Sequence, residues 1–172
     1  MTGKKESGIQ RMTDAFPPKP IRSSHIQLAQ LMMPEHANMQ GNVHGGWIMK
    51  LVDEAGALAA IRHAGRRVVT VAIDQMVFRQ PIRIGDLIIL EADVTFVGRT
   101  SIEVEVQVVA ENPITGQRTH TNTAYLVYVS IGEDGKPAPV PPLLAENPAE
   151  KARMESARQR HERRLAERTA EK

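Results

Sequence analysis

Asp53 stands where a carboxylate has little reason to be. From Trp47 to Arg62, apolar residues recur at helical spacing (Ile48, Leu51, Val52, Ala55, Leu58, Ala59), and the other side of the helix is also poor in charge. The neighbours of Asp53 one and two turns away are Met49, Gly56, Ala57 and Ala60. A carboxylate among such residues is paired, protonated or used, in the last case as a general base or nucleophile. If it is only structural, it lies on the one solvated edge of the helix beside an Arg or Lys. The residues leave both readings open.

Gly45-Gly46, just before that helix, supplies a second candidate. Backbone N–H groups at the positive end of a helix dipole can bind an anion or hold a developing oxyanion. The plainer reading is a tight turn, and what raises the first is an acid about two helical turns further on. Asn38 and Asn42 carry amides able to orient a water or a carbonyl, although turn capping is the commoner role of such residues. His36, His44 and His63 are conceivable bases, but their spacing contains no HExxH pair and yields no metal ligand set. No serine sits in a GxSxG elbow. Glu54 reads as an electrostatic partner near the helix start. The turn Val97-Gly98-Arg99-Thr100-Ser101 combines backbone amides, a guanidinium and two hydroxyls that suit phosphates. Taken alone it is a hairpin with a charged tip, and Arg79 and Arg83 around Pro81 read as solvated turn residues.

The elements that must position these groups follow from pattern and punctuation. Ser24–Leu31 alternates as a half-buried strand, and residues 32–46 form a turn-rich connection. The helix runs from about Trp47 to a glycine cap at Gly65, with Arg62 and His63 near its negative end. Strands are expected over Val68–Phe78, Leu87–Phe96, Ser101–Ala110 and Arg118–Ser130. They are separated by turns at Pro81 to Asp86, Gly98-Arg99 and Asn112 to Gly116. In the third of these strands Ile102, Val104, Val106 and Val108 face one way, and Glu103, Glu105 and Gln107 the other. One helix cannot cover both faces of a long sheet. The economical α+β solution wraps the sheet around the helix and buries what remains against a second copy.

Composition narrows the function classes. None of the 172 residues is cysteine, which excludes disulfides, thiolate catalysis and cysteine-ligated metals. Residues 146–172 hold eight Lys/Arg and six Glu, which accounts for the whole formal charge of +2 and leaves the remaining body neutral. That tail mixes both signs and lacks aromatics, so it reads as a charged helix or disordered tail rather than a nucleic-acid surface. Residues 1–20 read as a flexible arm without an apolar signal segment, and residues 21–145 as the folded domain. No apolar run approaches a membrane span. The expectation is a cytoplasmic protein with neither nucleic acid nor membrane as partner.

The stretch HANMQGNVHGGWIMKLVDEAGALAAIRHAG, residues 36–65, resembles the acyl-CoA thioesterases of the hotdog fold. The likeness is greatest to the bacterial short-chain acyl-CoA thioesterase and animal cytosolic acyl-CoA hydrolase branch. VVTVAIDQMVFRQPIRIGD (68–86), VGRTSIEVEVQV (97–108) and TNTAYLVYVS (121–130) extend it, and the likeness covers about residues 24–140. It implies an antiparallel sheet wrapped around a long central helix, sheets that join in a dimer, and commonly a trimer of such dimers. Active sites lie between subunits. The catalytic acid and asparagine of the family fall on Asp53 and Asn38, helix-start amides at Gly46 and Trp47 polarise the thioester carbonyl, and Gly98, Arg99, Thr100 and Ser101 meet CoA. No metal or separate cofactor is required, because CoA is part of substrate and product. The expected reaction is hydrolysis of acyl-CoA to CoA and a carboxylic acid, with Asp53 activating water or attacking directly. The alternative is a protein that binds or senses acyl-CoA on the same fold without catalysis. A third possibility is an interaction module that uses the tail as a partner helix. A dehydratase on this fold would need a His with an acid, and His44 does not fall where that motif requires it.

Overall fold

The computed structural model describes residues 16–170, apart from the side chain of Gln75. Its strands are β1 (Lys19–Pro20), β2 (Ile26–Leu31), β3 (Val68–Met76), β4 (Leu87–Val97), β5 (Ser101–Glu111), β6 (Arg118–Ser130) and β7 (Leu143–Leu144). Two helices, α1 (Gly45–Ala64) and α2 (Pro148–Ala170), and short 3₁₀ turns at Ile21–Ser24 and Pro34–His36 complete the chain. Five strands form an antiparallel sheet in the order β2-β4-β5-β6-β3, and α1 packs into its concave face. This is the wrapped α+β arrangement that the pattern called for and the hotdog fold that the resemblance implied.

The core forms where the two periodicities meet. Ile48, Leu51, Val52, Ala55, Ala59 and Ala60 of α1 meet the inward rows of β4, β5 and β6, including Val94, Val104 and Leu126. Small side chains on α1 let the sheet come close. Gly65 ends the helix in the left-handed region at φ 68°, donating its N–H to the Ile61 carbonyl at 2.8 Å. Two features of α1 differ from expectation. Gly45 and Gly46 are its first residues rather than a turn before it, because His44 caps it by accepting from Gly46 N–H at 2.9 Å. The helix is also not buried all round, since Met49, Leu58 and Ile61 are each about 40% exposed.

The tail departs most from the expectation of a solvated or disordered segment. Helix α2 lies across the convex face of the sheet, and its stripe of Arg153, Ala157, Arg160 and Arg164 follows helical spacing. Ala157 is fully buried. Arg160 and Arg164 both bond Glu103 at 2.7 Å, Arg164 also bonds Asp74 at 2.9 Å, and Arg153 reaches Asp93 at 3.1 Å and Glu105 at 3.2 Å. His161 packs against Phe96 with ring centroids 4.7 Å apart. The outward carboxylates of β5 are therefore buried beneath arginines. Because the anchoring stripe is cationic rather than apolar, a search for apolar periodicity passes over it.

The expected N-terminal arm, residues 1–20, falls largely outside the described residues. Its end, however, is built into the fold. Lys19–Pro20 pairs in parallel with Leu143–Leu144, and Lys19 Nζ donates to the His63 carbonyl at 2.8 Å. His63 itself is buried, with Nε2 bonded to the Pro141 carbonyl at 2.9 Å and no partner for Nδ1 among the described residues. Burial holds its pKa below the ordinary histidine value, outweighing the bond to Pro141, which acts the other way. Below about pH 6.5 the unfolded chain takes up a proton at this residue while the folded chain resists it. Stability is therefore expected to fall as pH drops from 6.5. Melting curves at pH 7.5 and 5.5 should show a smaller difference for His63→Gln than for the wild type, and an unchanged slope would contradict this account.

Candidate active site

Asp53, the ninth residue of α1, projects toward the β3–β6 pair. Thr70 of β3 and Tyr128 of β6 are directly opposed across that pair, so their side chains share a face. Both reach the same oxygen of the acid. Thr70 Oγ1 donates to Asp53 Oδ1 at 2.8 Å, and the Tyr128 hydroxyl lies 3.3 Å from Oδ1 and 3.1 Å from the Asp53 main-chain oxygen. Among the described residues no Arg or Lys pairs with Asp53, and no hydrogen bond reaches Oδ2. The reading of Asp53 as half of a surface ion pair is therefore replaced by a carboxylate anchored through one oxygen. Burial, and then the adjacent Asp53 charge, push the Tyr128 phenol far above the ordinary tyrosine range, so it remains a donor at any working pH.

Asn38 occupies a different place. Its Oδ1 accepts from the amides of Gln40 at 2.9 Å and Asn42 at 3.2 Å, and its own amide donates to the Asn42 carbonyl at 2.7 Å. The side-chain Oδ1 is thus used by the loop, and Nδ2 is left as the group able to meet a ligand. Asn38 lines a cleft of about 280 Å³ together with Gly45, Ile48, Phe78 and Arg79. Asp53 does not line it. Gly45, which lines this cleft, lies about 12 Å along the helix from Asp53 at 1.5 Å per residue, and among the described residues no hydrogen bond joins Asn38 to Asp53.

The helix-start amides cluster with Asn38 rather than with Asp53. Gly46 N–H donates to His44 Nδ1 and Trp47 N–H to the His44 carbonyl, each at 2.9 Å. Trp47 stacks on His36, with centroids 4.2 Å apart, and Lys50 lies 5.1 Å from the Trp47 ring. His36 Nδ1 accepts from Met33 N–H, so this ring organises the loop. Glu54 is exposed and paired with Lys50 at 2.6 Å, which agrees with a purely electrostatic role.

The Gly98–Ser101 hairpin joins β4 to β5. Gly98 N–H donates to the Ser101 carbonyl at 2.9 Å, and Ser130 and Val140 amides donate to the carbonyls of Thr100 and Arg99. The Arg99 side chain is exposed. Ser101 lines the groove under α2, on the side of the sheet away from α1. Among the described residues no group of three or more His, Asp or Glu could hold a metal ion, and no helix is long and apolar enough to cross a membrane.

Sequence reasoning missed Thr70 and Tyr128. Both were visible as polar residues beside apolar neighbours in their strands, but only the cross-strand register aims them at one oxygen.

Residues 40–117 match the thioesterase superfamily model. The rat cytosolic acyl coenzyme A thioester hydrolase is 36% identical over 146 residues, 84% of this chain. The matched region is only 38% of that relative's length. Among solved structures, the Staphylococcus aureus acyl-CoA hydrolase, in complex with butyryl coenzyme A, coenzyme A and coenzyme A disulfide, superposes with a TM-score of 0.84. It is 33% identical and covers 90% of this chain and 94% of its own. Variants of that hydrolase have been solved with alanine in place of an asparagine, an aspartate and a threonine. Those three positions are spaced by 15 and 17 residues, as Asn38, Asp53 and Thr70 are here. A hexameric hotdog fold thioesterase of Campylobacter jejuni is 41% identical, with a TM-score of 0.62 over 66% of this chain and 87% of its own. By its wrapped sheet, its central helix and these matches, the chain belongs to the hotdog-fold acyl-CoA thioesterase family.

Proposed function

We propose that the protein hydrolyses acyl-CoA thioesters, releasing CoA as the free thiol and the acyl group as a carboxylic acid. The observation that carries this reading is Asp53, held through Oδ1 by two hydroxyls with no cation beside it among the described residues. Its Oδ2 takes the proton of a water molecule as that water attacks the thioester carbon, and the thiolate departs without help from a metal. Asn38 Nδ2 orients the water or the carbonyl. The first-turn amides at Gly46 and Trp47 meet the developing oxyanion: the exposed His44 ring gives up its bond to Gly46 N–H, and Trp47 N–H is shared between the oxyanion and the His44 carbonyl. Thr70 fixes the acid, in keeping with the matched spacing to the substituted residues of the Staphylococcus aureus hydrolase. Gly98, Arg99, Thr100 and Ser101 are the proposed CoA contacts, with the Arg99 guanidinium meeting phosphate. CoA enters as part of the substrate, and no separate cofactor takes part.

The separation of Asn38 from Asp53 along α1 supports a site completed by a second copy. The edge strand β3 carries Val69 and Val71 about half exposed, and Leu58 and Ile61, one turn apart, add an apolar strip on α1. Pairing at β3 would join two sheets, and the α1 strip would then bring such dimers together as a trimer.

A subunit-mixing experiment tests this arrangement. Asn38→Ala and Asp53→Ala proteins are each expected to be inactive in a thiol-release assay with a panel of acyl-CoAs. Co-expressed, they should regain about a quarter of wild-type activity, because random pairing leaves one intact site in each mixed dimer. Activity remaining at background in verified mixed oligomers would overturn the shared site.

A further inference from the structure

Helix α1 contains a glycine, Gly56, where alanine would be worth about 1 kcal/mol more to the helix. It lies one turn beyond Asp53 on the same side. A Cβ at this position would overlap the Tyr128 hydroxyl, and would also crowd the ring at 3.2–3.3 Å. Tyr128 is fully buried, one of the largest side chains in the core, and its ring rises between β5 and β3 from the row it shares with Ile102 and Thr70. The absent side chain is therefore the space through which the phenol reaches Asp53.

We propose that Tyr128 is a positioning residue for the reaction, holding Asp53 by a second donor on Oδ1, and that Gly56 is kept small to admit it. This rests on the reading of Asp53 as the acid of the reaction. A single donor from Thr70 would leave the carboxylate free to swing about that bond. Two donors from opposed strands, with the phenol proton shared between Oδ1 and the main-chain oxygen, fix both the plane of the carboxylate and the helix turn that carries it. Thr70 is exposed and Tyr128 buried, so the phenol is the more rigid of the two anchors.

Tyr128→Phe removes the hydroxyl and keeps the ring. It is expected to lower kcat by about 10- to 100-fold, the usual consequence of removing one hydrogen bond to a charged group. KM should change little. Gly56→Ala should lower kcat in the same way by displacing the phenol, and should add little in the Tyr128→Phe background. A Tyr128→Phe enzyme with a lower Tm but wild-type kcat would overturn the proposal and leave the phenol as a packing group. Should that variant fail to fold, Gly56→Ala carries the same test. Asp53→Asn, assayed alongside, separates the two levels: an inactive Asp53→Asn beside a fully active Tyr128→Phe refutes only the positioning role, whereas an active Asp53→Asn removes the reading beneath it.

Discussion

Asp53→Asn protein is expected to lose about 10²- to 10⁴-fold in kcat, the range spanned by positioned general bases. The substitution is nearly isosteric. An asparagine oxygen can still accept from Thr70 and Tyr128, so the anchoring contacts survive while Oδ2, the atom proposed to take the proton, becomes an amide nitrogen. Loss of turnover with the thermal transition and CoA affinity retained would place the defect in the chemical step. Release of free thiol, followed across acyl chain lengths, is the direct readout. Wild-type-like turnover would remove Asp53 from the mechanism. A wild-type protein that binds acyl-CoA yet releases no thiol would instead support a non-catalytic binder.

The second large effect concerns stability. Glu103 is 1% exposed and bonded by Arg160, Arg164 and the Thr95 hydroxyl at 2.7–3.0 Å. Either arginine alone leaves the carboxylate a partner, so a single substitution should be tolerated far better than both. Arg160→Ala with Arg164→Ala strips the charge of both cations while Arg153 and Ala157 still tend to hold α2 over it. Breaking a buried ion pair from one side costs about 3–5 kcal/mol, which for a chain of this size lowers Tm by about 6–20 °C. Exchanging Glu103 for glutamine is expected to cost less, because Arg164 keeps Asp74 and Arg160 keeps its stack on Tyr125 at 3.7 Å. Thermal and urea melts of the three proteins would check the order. A double-arginine variant as stable as the wild type would mean that α2 lifts off in solution and lets water reach Glu103.

Much of the domain was legible because its signals are local. Gly65 as a cap, the turn at Gly98, the alternation of β5 and the apolar period of α1 each depend on residues within a few positions of one another, and each reappears with bounds shifted by only a residue or two. The start of α1 was misplaced because histidine is an unusual cap and two glycines read as a turn. Helix α2 was legible as a helix but not as a docked one. Its anchors are arginines, and arginines on a helix ordinarily mark a solvated face. They bind here because Asp74, Asp93, Glu103 and Glu105 wait on three strands that precede it by some 50 to 90 residues.

The candidate site divides along the same line. From sequence alone came Asp53 as a misfit in an apolar helix, the glycine-rich helix start, and, through family resemblance, the pairing of Asp53 with Asn38. A carboxylate in the wrong company can be seen without coordinates because burial is implied by the helical period. Its partners cannot. Only the tertiary structure decided that Asp53 meets two hydroxyls instead of a cation, because Thr70 and Tyr128 are 58 residues apart in the chain and are joined only by the register of β3 against β6. It also decided that Asn38 lines a cleft at the start of α1 that Asp53, about two turns further along the helix, does not line.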